Sequence, residues 1–343
     1  MKWIIKTANH SKGLVQDEIN SLIKPSYIEW LHDCVAIVET NEETISRIVE
    51  SSGTAKIILS KPVIMKNGEL ITNIKNEKFS AHDLNIDHII ESGTFAVRHE
   101  HTGNLEKKLP TEWVERRLGA QILSFRNDLC VSLKNPEFKL IVISWQNGSC
   151  LGWLHATISF DSIAARAPKM GPYFRGGGMK PRLCRTLVNL LYPMSSLVLD
   201  PFCGHGGILR EIADIGSFAL GIEINKKLCR ELLANNRYFG YDDVVAIIMG
   251  DSIHQPLRKS SYTQAITDPP YAIQTTTKGL DREDLLLKWL YNQNIGLKFV
   301  FTTPNTMLPS LPSKWVVDLD QEDYVHRSLT RRIRRATCKG DKT

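Results

Sequence analysis

Apolar residues in the second half of the chain fall into short runs that alternate with segments of helical period. The runs are typical of buried β-strands. Strands are predicted at 196–200, 218–223, 244–250, 265–267, 298–302 and 315–319. Helices are predicted from residue 208, over 225–239, and from Pro181, a favourable residue in a first helical turn. Strands that alternate with helices predict a doubly wound, mostly parallel sheet.

The first half of the chain mixes shorter strand-like and helix-like runs. Strands are predicted at 35–38, 94–99, 129–133 and 139–145, and helices at 41–51 and 112–123. Asn41 is a candidate cap for the first of these helices. The pattern indicates an α+β or α/β region without internal repeats.

Glycine and proline separate the two halves. Pro168, Gly171, Pro172, Gly176 and Gly178 all fall within 161–185, where they interrupt regular structure. We therefore predict an N-terminal region over 1–155, a linker over 156–180 and a second domain over 181–343.

Composition excludes several classes of protein. Of 343 residues, 42% are hydrophobic and 23% charged, which excludes disordered, collagen-like and low-complexity chains. No apolar run reaches the roughly 18 residues of a membrane span, and the N-terminus lacks the pattern of a signal peptide. Seven cysteines without C-x-x-C spacing predict neither a disulfide framework nor a zinc site. Scattered thiols suit a reducing compartment, so we expect a cytoplasmic protein and no metal.

The positive charge is concentrated in two segments. The net charge is +6. Residues 324–343 contain seven Lys/Arg and one acid, and residues 161–185 contain six and one. Each segment is a candidate for contact with phosphate groups.

A glycine-rich motif, D-P-F-C-G-H-G-G, occupies 200–207 between a predicted strand and a predicted helix. Its glycines let the backbone approach a ligand, and the helix N-terminus offers free N–H groups. The next two strands end near Glu223, which is placed to bind ribose hydroxyls, and near Asp251, which is placed to bind an adenine amino group. This combination suits an adenosine-containing cofactor, either a dinucleotide or S-adenosylmethionine. A loop that serves only strand–helix packing is the alternative.

A second motif, D-P-P-Y, occupies 268–271 at the end of the fourth strand. An exocyclic base amine is a poor nucleophile because its lone pair is delocalised into the ring. Acceptors on both sides of the nitrogen, here the Asp268 carboxylate and the Pro269 carbonyl, favour tetrahedral geometry and localise that pair. Tyr271 can stack on the base. In-line transfer from a sulfonium then depends on orientation and charge stabilisation. A structural turn is the alternative.

Together these motifs resemble those of class I S-adenosylmethionine-dependent amino-methyltransferases. Segments 174–189 and 326–331 are similar to parts of archaeal tRNA guanine-N2 methyltransferases, and segments 95–98, 117–119 and 131–137 look like a THUMP domain. The resemblance implies an α+β, THUMP-containing half that grips the tRNA acceptor end, followed by a Rossmann-like methyltransferase domain. It also implies methylation of guanine-10 on N2, once or twice. The chain departs from the family at 175–177, where histidine-proline-glycine is usual, and at His205, where a small polar residue is usual.

These arguments give the predicted site residues. The catalytic residues are Asp268, Pro269, Pro270 and Tyr271. The residues predicted to bind S-adenosylmethionine are Asp200, Pro201, Phe202, Gly204, Gly206, Gly207, Glu223, Asp251 and Ser252. The residues predicted to contact RNA, each with an ordinary surface charge as the alternative, are Arg98, Arg116, Arg117, Arg175, Arg182, Arg327, Arg331 and Arg332. The expected partner is tRNA, with a small activator subunit left open and otherwise a monomer.

Other interpretations compete with this one. D-P-P-Y also serves N6-adenine methylation of RNA or DNA, and a non-catalytic tRNA-binding module would keep the fold. Oxidoreduction with NAD is disfavoured because G-x-G-x-x-G is absent: position 209 is leucine. Cys203 is expected to be a buried filler and not a nucleophile. His99 and His101 are expected to be surface residues and not metal ligands.

Overall fold

The structure is a computed structural model of the chain. It describes residues 1–8, 11–86, 92–106, 108–174, 176, 178–192, 195, 197–254, 257–270, 282–306, 310–327 and 329–340.

The chain divides into two compact units, each assembled from several segments. The first unit comprises Met1–Asn9, Pro25–Val49 and Ala55–Ile158. The second comprises His10–Lys24, Glu50–Thr54 and Ser159–Thr343.

The first unit contains an eight-stranded mixed sheet. Its strands are β1 (Lys2–Thr7), β2 (Tyr27–His32), β3 (Val35–Glu39), β4 (Ala55–Lys66), β5 (Thr94–His101), β6 (Cys130–Val131), β7 (Phe138–Trp145) and β8 (Gly148–Thr157). They are arranged in the order β2-β3-β1-β4-β8-β7-β5-β6. Strand β5 pairs in parallel with β6 and β7, and the other neighbours are antiparallel.

The helices that begin in this unit are amphipathic. They are α2 (Glu42–Ser51), which extends into the second unit, α3 (Glu69–Lys75) and α4 (Thr111–Phe125). Helix α4 buries Val114, Leu118 and Ile122, which share a cluster with Phe95 and Leu140 of the sheet. The Asn41 side chain accepts a hydrogen bond from the Thr44 N–H (2.7 Å), as expected of a cap. The predicted strand at 129–133 is reduced to two residues.

The second unit contains a seven-stranded sheet. Its strands are β9 (Leu197–Asp200), β10 (Phe218–Glu223), β11 (Val245–Met249), β12 (Gln264–Thr267), β13 (Lys298–Pro304), β14 (Trp315–His326) and β15 (Leu329–Cys338). The order is β11-β10-β9-β12-β13-β15-β14, and β9 to β13 are parallel. Only β15 and its neighbours pair antiparallel. The predicted doubly wound, mostly parallel sheet is confirmed.

Apolar side chains cover both faces of this sheet. Successive residues of a strand point to opposite faces, so Val198 lies in one core cluster and Leu199 in the other. Val300 and Phe299 divide in the same way. The helices of this unit are α1 (Lys12–Ile23), α5 (Asp161–Ala165), α6 (Pro181–Asn189), α7 (Gly207–Asp214), α8 (Lys226–Phe239) and α9 (Arg282–Tyr291). Helices α6 and α7 contribute to the first cluster and α9 to the second, which explains the continuous apolar runs of the parallel strands.

A buried carboxylate joins the separate segments of the second unit. Glu18 of α1 is fully buried. It accepts hydrogen bonds from the Gly53 N–H (2.8 Å) and the Asn189 amide (2.7 Å). It also accepts bonds from Ser52 and Thr54. These partners supply the hydrogen bonds that a buried carboxyl group would otherwise lack. They also tie α1 and residues 50–54 to helix α6.

The basic C-terminal segment forms a strand. Strand β15 lies between β13 and β14, and its arginines face the acids of β14. Arg332 bonds to Asp320 and Glu322, and Arg335 bonds to Asp318 (3.0 Å). Three of the seven bases in the segment that we expected to contact phosphate, Arg332, Arg334 and Arg335, are therefore paired with acids of the neighbouring strand.

Within the described residues, no helix is both long and apolar enough to cross a membrane.

Candidate active site

Four acidic residues lie at or just beyond the carboxyl ends of neighbouring parallel strands. Asp200 ends β9 and Glu223 ends β10, while Asp251 follows β11 and Asp268 follows β12. Strand β9 has β10 on one side and β12 on the other, so the chain reverses its direction of winding there. Open α/β sheets bind ligands at such a switch point, outside the carboxyl ends of the strands.

Asp200 links the two sides of this switch point. Its side chain is buried, with 2% exposed. Its Oδ1 accepts hydrogen bonds from the Thr267 hydroxyl (2.7 Å) and from the Phe202 N–H (3.1 Å). Burial raises the pKa of Asp200 to about 7 despite these bonds, and the charges of Asp268 and Glu223 act in the same direction. Pro201 is buried and Phe202 half-buried.

The turn after Asp200 depends on glycine. Gly204 and Gly206 have φ of +48° and +69°, in the left-handed region that favours glycine. A Cβ on Gly206 would lie 2.2 Å from Leu232 Cδ1. Helix α7 starts at Gly207 without a side-chain cap. Its first N–H groups therefore point out of the turn as donors for an anion.

Glu223 and Asp251 continue the site along the sheet edge. Glu223 Oε2 accepts from the Gly204 N–H (3.2 Å) and Oε1 from the Asn225 N–H (2.8 Å), which fixes the carboxylate against the glycine turn. Burial raises its pKa, although these N–H groups oppose the rise. The Asp251 carboxylate is 41% exposed. Burial would raise the pKa of Asp251, but bonds from Ile253 and His254 outweigh it and lower the pKa.

Ser252 connects this edge to the glycine motif. It is buried, and its hydroxyl donates to the Pro201 carbonyl. Ser252 thus positions the backbone between Asp200 and the glycines.

Asp268 lies on the other side of β9. Its Oδ1 accepts a hydrogen bond from the Thr302 hydroxyl of β13 at 2.5 Å. Pro269 is buried and Pro270 half-buried, so the backbone that carries the Pro269 carbonyl is stiff. Tyr271 lies outside the described residues.

The arrangement suits a cation with a carboxylate-bearing tail. The Asp268 and Glu223 charges both act on Asp200, so the switch point is a region of negative potential. The glycine turn beside it offers N–H donors for a carboxylate. Backbone N–H groups of Gly204, Asn225 and Ile224 bond to the Glu223 carboxylate, which fixes its orientation toward a ribose hydroxyl. These residues fit S-adenosylmethionine, which combines a sulfonium, an amino acid tail and a ribose.

Three residues that position the site were not identified from the sequence. Thr267 and Thr302 hold Asp200 and Asp268 by their hydroxyl groups. Arg210 of α7 is fully buried. Its guanidinium donates to the His205 carbonyl in the glycine turn (3.0 Å) and to the Arg166 carbonyl (3.2 Å). The position of Thr267 directly before D-P-P-Y could have identified it as a residue of the site. Nothing in the sequence indicates that Thr302 bonds to Asp268 or that Arg210 bonds to the His205 carbonyl.

The predicted RNA contacts of the first unit differ in exposure. Arg98 is half-buried and donates to the carbonyls of Val97 (3.1 Å) and Leu133 (2.5 Å). Arg116 and Arg117 are exposed on α4, and Arg116 pairs with Glu112 one turn earlier. Their contact with RNA stays a prediction.

The predicted RNA contacts of the second unit are mostly engaged within it. Arg182 donates to the Gly53 carbonyl (3.0 Å) and lies 3.5 Å from the centre of the Phe160 ring. Arg331 is buried and Arg332 is ion-paired, whereas Arg327 is exposed. Arg175 lies outside the described residues.

The basic linker segment also contributes to the interior. Arg166 bonds to Glu211 (2.9 Å) and Asp214 (3.0 Å) of α7, and Arg185 bonds to the same two acids. Both guanidinium groups are largely buried. They fasten residue 166 and α6 to α7, so these two of the six bases in the segment contribute to the interior of the unit.

The other candidate reactive groups are placed as follows. Cys203 is buried, and burial raises the pKa of its thiol well above the ordinary value, so the thiol stays protonated. His99 is also buried, with Nε2 2.9 Å from the Ser144 hydroxyl, so its assignment to the surface is wrong. No cluster of three or more metal-ligating side chains occurs among the described residues.

The buried Asp200 predicts a pH-dependent stability. The folded protein holds the Asp200 proton more tightly than the unfolded chain does, because its pKa is about 7 against an ordinary value of 3.8. Between pH 5 and 7 the unfolded chain has already lost this proton, whereas the folded protein still holds it. Rising pH therefore favours unfolding. We expect wild type to lose roughly 1.4 kcal/mol per pH unit relative to Asp200→Asn over this range. Urea unfolding of both proteins at pH 5, 6 and 7 measures the difference. A difference that is constant with pH would contradict the assignment.

Comparison with known proteins agrees with this geometry. A family model described as UPF0020, RMKL-like methyltransferase domain, matches residues 168–332. A tRNA (guanine(10)-N2)-dimethyltransferase of Methanocaldococcus jannaschii is 28% identical over 320 residues, covering 86% of this chain and 88% of the relative. The protein of the same name from Methanothermobacter thermautotrophicus is 31% identical over 229 residues, covering 64% of this chain and 67% of the relative.

The fold also matches a solved structure. TrmN from Thermus thermophilus superposes with a TM-score of 0.57 and 18% sequence identity, over 98% of this chain and 100% of that chain. At this identity the match establishes the fold alone, and it does so for nearly the whole of both chains.

Proposed function

This chain belongs to the family of tRNA (guanine(10)-N2)-dimethyltransferases, and from that premise we propose that it transfers methyl groups from S-adenosylmethionine to the exocyclic N2 of guanine-10 in tRNA. The observation that carries the proposal is the placement of the two motifs. Asp200 and Asp268 end adjacent strands at the switch point of the sheet, and their charges interact.

The cofactor-binding half of the proposal rests on the turn after β9. We assign the methionine carboxylate to the N–H groups of the glycine turn, the ribose hydroxyls to Glu223 and the adenine amino group to Asp251. When bound, S-adenosylmethionine supplies an electrophilic methyl group on a positively charged sulfur. Asp200 and Asp268 stabilise that positive charge, and Asp200 also fixes the backbone at Phe202 through its hydrogen bond.

The catalytic half rests on the turn after β12. Asp268 and the Pro269 carbonyl accept hydrogen bonds from the two N2 hydrogens of the guanine, which localises the nitrogen lone pair. Thr302 restricts rotation of the Asp268 carboxyl group by donating to Oδ1. No general base is needed before transfer, because the methylated amine becomes strongly acidic once it forms. Tyr271 is assigned to stacking on the base.

We assign RNA binding to the first unit, as a THUMP-type domain that grips the acceptor end of the tRNA. What supports this is the resemblance of segments 95–98, 117–119 and 131–137, together with the exposed Arg116 and Arg117 on α4. All seven cysteines are free, which suits action on tRNA in a reducing cytoplasm. We further propose that the chain acts as a monomer, and the need for a small activator subunit is decided by the test below.

The test is methyl transfer by the purified chain alone. Unmodified tRNA transcripts carrying G10 or A10 are incubated with S-adenosylmethionine labelled in the methyl group. We expect label only in the G10 transcript, with at most two methyl groups per molecule. Equal labelling of both transcripts would overturn the assignment to position 10, and no labelling of either would overturn the activity of the isolated chain.

Arg210 gives a further prediction about cofactor binding. Arg210→Met removes the donor to the His205 carbonyl, so the glycine turn loses a contact that holds its shape. Each such buried hydrogen bond contributes about 1–3 kcal/mol when its partner is left unsatisfied, and we expect the Kd for S-adenosylmethionine to rise about tenfold. Isothermal titration calorimetry measures the Kd, and kcat at saturating cofactor should change much less. An unchanged Kd would show that Arg210 does not position the turn.

A further inference from the structure

Helix α8 displays a concentration of positive charge that the sequence motifs did not indicate. Lys226, Lys227, Arg230 and Arg237 are all exposed. The acid within the helix, Glu231, is buried. The exposed acids Asp242 and Asp243 come only after the helix has ended at its Gly240 cap. We call these four residues the α8 basic face.

Three of the four side chains lie along one side of the helix, and Lys227 lies next to them in the first turn. Positions 226, 230 and 237 are separated by four and seven residues, the spacing of a single helix face. At 1.5 Å per residue, the face extends about 16 Å from Lys226 to Arg237. Leu233 and Tyr238, 50% and 64% exposed, lie beside it. A track of this length can contact several successive phosphates of a nucleic acid strand.

The α8 basic face differs from the other basic segments of this unit. Arg166 and Arg185 are paired with acids of α7, and Arg332 and Arg335 with acids of β14. Within the part of the chain that the structure describes, none of the four α8 residues has an ion pair. Their charge is therefore available to an external anion.

The local physics of the helix disfavours this arrangement. Lys226 and Lys227 lie in the first turn, where the helix dipole is positive, and no acid is present in that turn. Lys226 and Arg230 are like charges four residues apart, which also destabilises a helix. Native residues that destabilise their own helix, with no compensating contact inside the protein, are expected at functional sites.

The position of α8 connects the face to the active site. The helix begins three residues after Glu223, at the same edge of the sheet. Its inner side is held rigidly: Leu232 packs against Gly206, and the Asn235 amide bonds to both the N–H and the carbonyl of Tyr173 (3.1 and 2.9 Å). A polyanion bound along the outer side would reach the cofactor-binding rim at the first turn of the helix and extend from there toward the amino ends of the strands.

We propose that the α8 basic face binds the sugar-phosphate backbone of the tRNA substrate. The proposal rests on the proposed function for the identity of the polyanion. Charge complementarity selects RNA over a protein partner, because four exposed bases without an acid match a phosphate chain, and no continuous apolar core accompanies them. Exposed Tyr238 adds a ring on which an unpaired base can stack.

The experiment compares Arg230→Gln/Arg237→Gln with wild type in binding an unmodified tRNA transcript without cofactor, at several salt concentrations. Lys298→Gln is the control, since Lys298 is exposed at the amino end of β13, at the opposite edge of the sheet from the active site. We expect the double variant to raise the Kd for tRNA about tenfold and to reduce the slope of log K against log salt by about 1.5. Lys298→Gln should change neither.

Other measurements keep the result unambiguous. An unchanged Kd for S-adenosylmethionine shows that the variants are folded. Wild-type tRNA affinity and salt slope in the double variant would overturn the proposal. Lost methyl transfer with unchanged tRNA binding would also overturn it, since the face would then affect the transfer step and not the binding of tRNA. Failure of the proposed function is distinguishable, because it appears as absent methyl transfer by wild type whatever the binding result.

Discussion

Asp268→Ala is expected to lower the rate of methyl transfer about 10³-fold or more, while the Kd values for tRNA and S-adenosylmethionine stay within about twofold of wild type. The carboxylate accepts a hydrogen bond from the target amine as charge develops on the nitrogen, and preorganised groups of this kind contribute about 10²–10³ in rate. The larger figure is expected because the same carboxylate makes two interactions. It accepts the hydrogen bond from the amine and it also faces the developing positive charge, so the substitution removes both. Single-turnover kinetics with labelled cofactor measures the effect.

Thr302→Val is the matched control for this variant. Valine keeps the shape of the side chain but removes the hydroxyl that donates to Asp268 Oδ1. The carboxylate remains, with greater freedom of rotation, so we expect a rate reduction of about tenfold, smaller than that of Asp268→Ala. If Asp268→Ala retained the wild-type rate, the assignment of the catalytic motif would be wrong. Equal losses in the two variants would instead indicate a collapse of the turn.

Gly206→Ala is expected to weaken S-adenosylmethionine binding about 100-fold or more. The new Cβ would lie 2.2 Å from Cδ1 of the buried Leu232 and φ is +69°, so we expect the turn to shift. Left-handed backbone alone costs a non-glycine residue roughly 1–2 kcal/mol. The displaced turn would no longer aim its N–H groups at the cofactor. Equilibrium dialysis with labelled S-adenosylmethionine measures the Kd.

Gly216→Ala separates the clash from the backbone cost. Gly216 has a φ of +85° at the end of α7, and its Cβ would meet nothing within 4 Å. We expect this variant to lose a similar amount of stability to the left-handed backbone and to bind the cofactor normally. Normal cofactor binding by Gly206→Ala would contradict the role of the turn.

The sequence was sufficient for the parallel part of the sheet in the second unit. The parallel strands are buried on both faces, so their apolar runs are continuous and easily identified. The ends of these runs also located Asp200, Glu223, Asp251 and Asp268. Their convergence followed from one rule, that parallel strands end at a common edge.

The predicted contacts of arginines with phosphate were the least accurate part of the sequence analysis, because arginine occurs both at the surface and in buried ion pairs. Arg332 and Arg335 belong to a strand whose acids lie on β14, a pairing set by register and not by local sequence. Arg166 and Arg185 depend on Glu211 and Asp214, which are 26 to 48 residues away. Helix α8, with no motif to mark it, carries four bases that have no ion pair among the described residues.

Local sequence patterns also did not predict that two upstream segments belong to the second unit. Helix α1 belongs to that unit through the bonds of Glu18 to residues 52–54 and to Asn189, which is 171 positions away. A buried glutamate looks like any surface acid in a sequence, since only its partners distinguish the two. The hydroxyls of Thr267 and Thr302 present the same difficulty.

The measurement that tests the central claim most directly is the identity of the methylated nucleoside. Wild-type protein is incubated with S-adenosylmethionine and an unmodified tRNA transcript, and the RNA is digested to nucleosides and separated by liquid chromatography with mass spectrometry. The account predicts N2-methylguanosine or N2,N2-dimethylguanosine, absent when Asp268→Ala replaces the wild type. N6-methyladenosine as the product, or no methylated nucleoside at all, would contradict it.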